Sequence, residues 1–580
     1  MMEAVPPTEA AGHVPTLAED PALGLDRRAK FEILGAILLA LFLGALDQTI
    51  VGTALPRVVT DLGGNDLYVW VVTIYLLTST ISVPFYGKLS DLYGRRPLLM
   101  IGISIFLVGS FLSGLSQTMW QLILFRGLQG LGAGALFPIS LAVIGDLFTP
   151  QERGKYQGLF GAVFGIAALI GPALGGFITD TWSWHWIFFV NIPIGIVSLI
   201  VIWHLLPTVK RPDASRNFDL LGAGVFIVGV ALLLIGLTNK QTNDWTDPSV
   251  GGLLLVSFVL LAIFLVIEWR AKEPIVPLDL WLNRTYAGSM TAVFLASIGF
   301  FGSIIFLPRW FQVVRGVSAT LSGYQVMALL VGLIISSIIS GQIVARTGRY
   351  KWLTVASLLI TALGLYLMTN LKTDTDLPVL WFWMFVTGVG IGPSLAVFTI
   401  IIQNAVPFDR LGVATGNLTF FRQIGGSVGL AIVGTVFGQA ITDDLPRSLV
   451  ANGIPPEFAS QGTGSFDLNQ ITGAGVNLHD LLASLLPPAA QPFIDNIIKA
   501  IYDSFSYAVA QTFWIGVVAS LAAAAVAAVL IKEVPLRSTF GARQPAGAPA
   551  GQAGTGTVGT APGRPIPEPV HISEASPRPD

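Results

Sequence analysis

Residues 87–97 read GKLSDLYGRRP, and this short charged segment decides the fold because a long apolar stretch lies on each side of it. The stretches 68–87 and 97–116 are each about 20 residues long, which is the length that a helix needs to cross a lipid bilayer. Gly87 and Gly94 allow the chain to reverse tightly between them. The pattern therefore predicts two membrane helices joined by a loop at one membrane surface.

Apolar windows of this kind recur along the whole chain of 580 residues, of which 53% are hydrophobic and 11% are charged. A soluble domain has about 25% charged residues. We therefore predict an all-α polytopic membrane protein with fourteen spans, at residues 31–56, 68–87, 97–116, 119–144, 157–179, 186–206, 219–237, 250–269, 285–308, 321–345, 351–371, 378–402, 416–440 and 508–532.

The positive charges lie mainly on one side of these spans. Of the 32 Lys and Arg residues, 23 fall in the two tails and the loops on the same side, 7 fall on the other side, and Arg126 and Arg422 lie within spans. Lys and Arg concentrate on the cytoplasmic side of membrane proteins. The distribution predicts a multi-pass protein of the plasma membrane with both termini in the cytoplasm.

The composition also excludes several function classes. The chain has no cysteine, its five histidines lack ligand spacing, and its net charge is −2. We therefore expect no thiol chemistry, no metal site and no nucleic-acid partner. Because no nucleophile–base pair or phosphate-binding loop is present, we predict neither an enzyme nor a cofactor.

Three segments lie outside the predicted spans. Residues 1–30 and 533–580 are rich in Pro, Ala, Gly and Thr, which predicts disordered cytoplasmic tails. Residues 441–506 form an external loop of unusual length, and apolar residues at helical spacing in its latter part predict a short amphipathic helix. This loop is either a solvated cap or a gate or docking surface for an envelope partner.

The two halves of the chain repeat one another. Three pairs of segments match in order at nearly one offset: 55–57 with 307–309, 87–95 with 341–349, and 130–153 with 388–410. We predict a duplicated six-helix unit, 31–206 and 285–532, with two inserted helices at 219–269. Halves of this kind rock about a central site in alternating access.

The charged loop predicts a latch between these halves. Asp91 is suited either to capping a helix N-terminus or to pairing with Arg95. We predict that the contacts of this loop break and re-form as the halves rock. The second copy has Ala345 at the position of Asp91, so the latch is expected on one side. The latch residues are Gly87, Asp91, Gly94, Arg95 and Arg96.

Asp47 stands within the first apolar span, in the run LDQTIVGTALP of residues 46–56. A carboxylate at such depth is costly and is by default functional, so we predict that Asp47 carries the coupling proton. Asp47 is nine residues from the outer end of its span and Arg126 is eight from the outer start of span 4. Both therefore lie about 12–14 Å deep, where they can make contact. The alternative is a static ion pair that fixes the packing.

These segments resemble the major facilitator superfamily, and within it the fourteen-helix drug/proton antiporters of the QacA and EmrB type. Residues 87–97 match the superfamily's loop signature, and LFRGLQG at 124–130 is similar to its second signature. The resemblance covers nearly all of the spans and neither tail. It implies two six-helix bundles plus two inserted helices, proton-coupled antiport, and a part for Arg126 in proton transfer.

Span 5 is similar to the signature that distinguishes the antiporters of this superfamily. Glycines four residues apart let helices approach closely, and a proline removes a backbone hydrogen bond so that the helix can bend. The resemblance implies that this helix takes part in antiport. The residues that carry the pattern are Gly165, Gly171, Pro172, Gly175 and Gly176.

The resemblance implies multidrug efflux by a monomer that exports lipophilic small molecules, confers antibiotic resistance, and works in contact with membrane lipid. The cores of spans 10 and 13 lack the further acids that some relatives use for dicationic drugs, so an apolar cavity is expected. Gln48, Thr49 and Tyr75 are its predicted polar contacts.

Two alternatives remain open. A lipid or glycolipid exporter of the cell envelope would bind acyl chains and show little proton flux with cationic dyes. A non-transporting sensor or scaffold would keep the fold, but it has no use for a buried acid. Arg422 is expected about 9 Å from the cytoplasmic end of span 13, where it either snorkels to the interface or has a function.

Overall fold

The computed structural model describes residues 25–63, 67–207, 219–240, 243–456, 479, 482–483 and 491–536. Within these residues, fourteen helices are long and apolar enough to cross a membrane. The protein is therefore a multi-pass integral membrane protein, as the apolar windows predicted. Its helices form two bundles and an inserted pair, which confirms the predicted fold class.

The N-terminal bundle packs around one core of buried aliphatic and aromatic residues between Ile33 and Leu206. Its most buried helix is the fourth, which runs through the middle of the bundle. The short α6 and the following α7 together make the sixth span. The helices are α1 Arg27–Leu62, α2 Tyr68–Tyr93, α3 Arg95–Gly114, α4 Met119–Leu147, α5 Pro150–Thr181, α6 Trp186–Phe189 and α7 Asn191–Leu205.

The inserted pair consists of α8 Leu220–Asn239 and α9 Leu253–Arg270. Phe226 of α8 belongs to a buried cluster that also contains Leu77 of α2 and Ile424 of the C-terminal bundle. The inserted pair therefore packs against both bundles, beside the line where they meet.

The C-terminal bundle repeats the six spans of the first. The short α11 precedes α12, and a short 3-10 turn, Phe408–Arg410, lies between α14 and α15. The helices are α10 Arg284–Val314, α11 Ala319–Gln325, α12 Met327–Thr347, α13 Lys351–Met368, α14 Leu377–Ala405, α15 Leu411–Ala451 and α16 Ile494–Leu530.

Several helices are longer than the apolar windows predicted. The start of the predicted loop 441–506 belongs to α15, and its end belongs to α16. Leu445 and Leu449 of α15 pack there with Ile497 and Ile501 of α16. These turns are amphipathic, so a hydropathy window stops short of them. The middle of the loop, apart from three residues, and almost all of both predicted tails lie outside the described residues.

We call the end of the molecule that carries the α2–α3 turn the basic end, and the other end the opposite end. The chain enters α1 at the basic end, and the turns from α4 to α5 and from α14 to α15 also lie there because successive spans alternate in direction. Contacts between the bundles at the basic end form one part of the candidate site.

Candidate functional site

Asp47 and Arg126 form an ion pair that is buried in the N-terminal bundle. Arg126 Nη1 lies 2.6 Å from Asp47 Oδ2, and the side chains are 1% and 0% exposed, respectively. Asp47 belongs to α1 and Arg126 to α4, at positions that the sequence puts at equal depth. Such a pair needs further hydrogen bonds to offset the lost hydration of both ions.

Two amide side chains supply these hydrogen bonds, and neither was predicted from the sequence. Gln129 Nε2 donates to Asp47 Oδ1 at 2.8 Å, and its Oε1 accepts from Arg126 Nη1 at 2.7 Å. Asn191 Nδ2 lies 3.4 Å from the same Asp47 Oδ1. Gln129 could have been found, because it lies three residues after Arg126 and so shares its helix face.

Tyr75 covers the other side of the guanidinium. The carbon Cζ of Arg126 lies 4.1 Å from the centre of the Tyr75 ring, a cation–π geometry. Arg126 Nε also donates to the carbonyl of Val71 at 3.3 Å. Tyr75 is 1% exposed, so in this conformation it belongs to the ion-pair cluster, and its contact with a substrate cavity stays a prediction.

Thr49 and Gln48 follow Asp47 on α1, and both are half-buried. Thr49 Oγ1 donates to the carbonyl of Ala167 on α5 at 3.1 Å, so it is a contact between helices. A Cβ on Gly171 would lie 2.1 Å from this oxygen. Only glycine at this position lets α5 approach α1 so closely, two residues along α1 from the buried carboxylate.

The remaining residues of the span-5 pattern place α5 at the junction of the bundles. A Cβ on Gly175 would lie 2.2 Å from an α1 side chain, whereas one on Gly165 would lie 2.4 Å from Ile334 of α12. Pro172 lies inside α5, which continues to Thr181, and Gly176 is half-buried. One helix therefore contacts α1 of its own bundle and α12 of the other.

Asp91 joins the two bundles at the basic end. Its Oδ1 accepts a hydrogen bond from the backbone N–H of Gly412 at 3.0 Å, and its Oδ2 accepts from Val413 at 2.8 Å. These donors are in the first turn of α15, whose N-cap residue Arg410 makes no side-chain cap. A carboxylate of one bundle thus caps a helix of the other and meets the positive end of its dipole.

Arg95 holds Asp91 in this position. Arg95 Nη1 lies 2.6 Å from Asp91 Oδ1, and its Nε donates to Asp146 Oδ2 at 2.9 Å. The same Nη1 donates to Ser90 Oγ at 2.7 Å. The guanidinium therefore bridges the ends of α2 and α4 and fixes the carboxylate that reaches across to α15.

The other predicted latch residues have different roles. Gly94 has a φ of 94° and makes the turn between α2 and α3, a conformation that side-chain-bearing residues rarely adopt. Gly87 lies inside α2 rather than in the turn, and a Cβ there would lie 2.6 Å from the carbonyl oxygen of Gly412. Arg96 stacks on Trp203 at 5.1 Å, within its own bundle.

The second copy of the segment makes the same glycine contact on the other side of the molecule. A Cβ on Gly341 would lie 2.1 Å from the carbonyl oxygen of Gly154 on α5. Ala345 stands beside Gly154 where the first copy has Asp91. Since α5 begins at Pro150, one turn earlier, and has its own capping box, no carboxylate is needed there.

Buried hydrogen bonds also join the two bundles further from the basic end than the contacts of Asp91 and the glycines. Gln157 Nε2 of α5 donates to Gln403 Oε1 of α14 at 2.7 Å. Thr415 Oγ1 of α15 donates to the carbonyl of Pro138 on α4 at 3.1 Å. Two helices of each bundle are thus joined across the contact between the bundles. Together with the glycine contacts, these hydrogen bonds close the basic end.

A cavity of about 280 Å³ lies between the bundles toward the opposite end. Its walls include Leu55 at the end of α1, Leu76 of α2, Ser427 of α15, and Leu234 and Thr238 near the end of α8. The inserted helix α8 therefore forms one wall of the cleft between the bundles. The lining is mainly apolar with a few hydroxyl groups, as suits a lipophilic guest.

The predicted depth of Arg422 was wrong, because α15 begins at Leu411, before the apolar window. Arg422 lies eleven residues into the helix, or about 16 Å along its axis. It is half-buried and lines a small pocket with Phe300 and Ser394. This greater distance from the basic end makes snorkelling to the membrane surface less favourable than the sequence suggested.

The family profile described as "Major Facilitator Superfamily" matches residues 37–430. The chain belongs to the major facilitator superfamily. The "Multidrug transporter protein MdtP" of Bacillus subtilis is 38% identical over 517 residues, which are 87% of this chain and 93% of the relative. "Multidrug resistance protein 3" of the same organism is 35% identical over 480 residues, 82% of this chain and 91% of the relative.

A solved structure shares the fold of this superfamily member. The proton:xylose symporter XylE, bound to 6-bromo-6-deoxy-D-glucose, superposes with a TM-score of 0.53 at 15% identity, over 86% of this chain and 95% of that chain. Together with the family match, this fold identifies the protein as a membrane transporter rather than an enzyme, and multidrug transporters are among its relatives.

In this superfamily member, replacing Asp91 by alanine is expected to shift the bundles away from the closed state, because α15 loses its cap and Arg95 loses a partner. Loss of a cap costs about 1 kcal/mol, so the ratio of closed to open molecules should fall about fivefold or more. Spin labels on Lys155→Cys and Arg346→Cys, exposed residues of α5 and α12, would report a longer distance. An unchanged distance would mean that Asp91 does not hold the bundles together.

Proposed function

We propose that this transporter exports lipophilic small molecules in exchange for protons, with Asp47 as the proton carrier. The observation that carries the proposal is the buried cluster of Asp47, Arg126 and Gln129, in which both carboxylate oxygens accept hydrogen bonds. Intramembrane carboxylates in transporters are characteristic of proton pathways. The names of the two Bacillus relatives support drug-like substrates for this chain.

The basic end is assigned to the cytoplasm in this proposal, because 23 of the 32 Lys and Arg residues lie on that side of the predicted spans. The closed contacts around Asp91 then seal the cytoplasmic side, and the cavity faces the outside. The conformation corresponds to the step at which substrate has left and a proton enters from outside.

The cluster can accept a proton without leaving the guanidinium of Arg126 without hydrogen-bond partners. A proton on Asp47 removes the ion pair, but Arg126 keeps Gln129 Oε1, the carbonyl of Val71 and the ring of Tyr75. Arg126 therefore has partners in both protonation states. These partners offset part of the cost of leaving the guanidinium without its counter-ion, and they support Asp47 as a carrier.

Protonation of Asp47 can change the contact between the two bundles through α1 and α5. Thr49, two residues after Asp47, packs against Gly171 of α5. The same α5 meets α12 at Gly165 and at Gly154. A small shift of α1 on loss of the ion pair would thus reach the bundle contact. One proton that crosses about 100 mV and one pH unit supplies about 3.7 kcal/mol, enough for about a 500-fold gradient of a neutral compound.

The test is transport of the lipophilic dye Hoechst 33342 in everted membrane vesicles with an imposed proton gradient. The wild type is expected to move the dye only while the gradient lasts, and Asp47→Asn should lower this rate by at least about 100-fold because its amide cannot carry the proton. Dye binding to the variant should stay within about threefold of the wild type.

The matched control is Glu32→Gln, which removes an exposed carboxylate from the same helix and should transport as the wild type does. Dye movement by the wild type that persists after an uncoupler collapses the gradient would contradict proton coupling. Equal gradient-driven rates for the wild type and Asp47→Asn would remove Asp47 from the mechanism.

A further inference from the structure

Arg422 is a cation near the middle of the membrane for which the described residues provide no ion pair. Its buried Nη2 has no hydrogen-bond partner among them, in contrast to Arg126, whose Nη1 has two. The neighbouring Gln423 also has an unpartnered buried oxygen, Oε1. A guanidinium at this depth is costly, so a missing anionic partner is the simplest explanation of its position.

The side chain lies on the face of α15 that meets the N-terminal bundle. Thr415 of this face donates to Pro138 across the bundle contact. Arg422 is seven residues, or two turns, further along, so it shares that face about 10 Å beyond the seal. Ser427, five residues or about 7 Å further along the helix, already lines the cavity that faces the opposite end. Arg422 is therefore positioned between the closed end and the cavity.

The surroundings of Arg422 match a molecule with one acidic group and an apolar body. Its small pocket is lined by the apolar side chains of Phe300 and Leu395 and by Ser297 and Ser394. The two serine hydroxyl groups donate to backbone carbonyls of their own helices and would have to turn to donate to an oxyanion. A guanidinium binds carboxylate, sulfonate or phosphate oxygens through two parallel hydrogen bonds. The pocket has no carboxylate that would attract a cationic drug.

Resting on the proposed function, we infer that Arg422 binds the acidic group of the substrate, so that the exported molecules include lipophilic anions. The group is a carboxylate, sulfonate or phosphate, carried either by a small dissolved acid or by a lipid headgroup. The site is separate from the proton carrier, because Asp47 forms its ion pair with Arg126 in the other bundle.

The test measures equilibrium binding of two fluorescent pyrenes that differ in the sign of their charge. Pyrene-1-sulfonate and pyrenylmethyl-trimethylammonium are titrated with the protein in phosphatidylcholine nanodiscs, with empty nanodiscs as background. The wild type is expected to bind the sulfonate at least about tenfold more tightly than the ammonium, and Arg422→Gln should lose this preference.

Two further variants separate charge recognition from folding. Arg422→Lys keeps the charge but not the two parallel hydrogen bonds, so it should keep the preference for the sulfonate over the ammonium while binding the sulfonate less tightly than the wild type. Arg346→Gln removes an exposed arginine of the same bundle and should change neither affinity. Equal affinity for both pyrenes in the wild type, no sulfonate binding, or the same loss in Arg346→Gln would overturn the inference.

Nanodiscs that contain phosphatidylglycerol distinguish the two sources of the acidic group. Weaker sulfonate binding in these discs identifies a lipid headgroup as the occupant, and unchanged binding identifies a dissolved acid. Because no gradient is used, failure of this test leaves proton-driven dye transport standing. Conversely, the binding result holds even if Asp47 proves not to carry the proton.

Discussion

Replacing Gly341 by valine is expected to hold the basic end open and to lower transport by at least about 100-fold. A Cβ at this position would lie 2.1 Å from the carbonyl oxygen of Gly154. That oxygen belongs to the backbone of α5 and cannot move unless the whole helix moves. About 5.5 kcal/mol reverses a two-state population from 99:1 to 1:99. The added side chain meets backbone here, not the far end of a flexible side chain that could turn away, so a shift of this size is expected.

The measurement is the distance between spin labels on Lys155→Cys and Arg346→Cys, which lie on the two helices that Gly154 and Gly341 bring together. The chain has no cysteine, so the labels attach only at the introduced positions. In the Gly341→Val protein the distance distribution should move entirely to the longer separation. Transport of Hoechst 33342 in the same protein should fall with it.

The control is Gly434→Val in α15, where an added Cβ would meet nothing within 4 Å. It has the same cost of changing a helical glycine to a β-branched residue, but it does not touch the other bundle. Gly434→Val should therefore keep the wild-type distance and transport rate. A short distance in Gly341→Val, with intact transport, would show that this contact is not the closure that the cycle uses.

The number and order of the helices were predictable, because each needs only a local apolar window. The pairing of Asp47 with Arg126 could also be anticipated, since both depths follow from distance along the chain. The partners of Asp91 could not be anticipated. The backbone N–H groups of Gly412 and Val413, which donate to its carboxylate, lie more than three hundred residues away in the sequence. Which helix end a carboxylate meets depends on how the bundles pack.

The errors have a common physical cause. Hydropathy marks where a helix is apolar, whereas hydrogen bonding decides where it ends. The first turn of α15 is polar enough to fall outside the window, so Arg422 was expected too close to the membrane surface. Gly87 was assigned to a turn for the same reason, although α2 continues to Tyr93.

Asp47→Asn is expected to destabilise the protein by about 3–5 kcal/mol, because it leaves the Arg126 guanidinium buried without its counter-ion. The double variant Asp47→Asn, Arg126→Gln removes both charges and should recover most of this loss, since two neutral amides can hydrogen-bond to each other and to Gln129. Proton-driven transport should stay absent in both variants. Thermal unfolding of the purified proteins in detergent separates stability from transport.

Arg126→Gln should behave differently, because a buried carboxyl group can become neutral by binding a proton whereas a guanidinium cannot lose one. The folded variant would then hold a proton on Asp47 that the unfolded chain releases above about pH 4. Its stability should therefore fall as the pH rises from 5 to 8, because the folded state binds more protons. Asp47→Asn has no such group and should show no matching loss. Equal pH dependence in the two variants would mean that Asp47 does not exchange protons in the folded protein, and the ion pair would then have only a structural role.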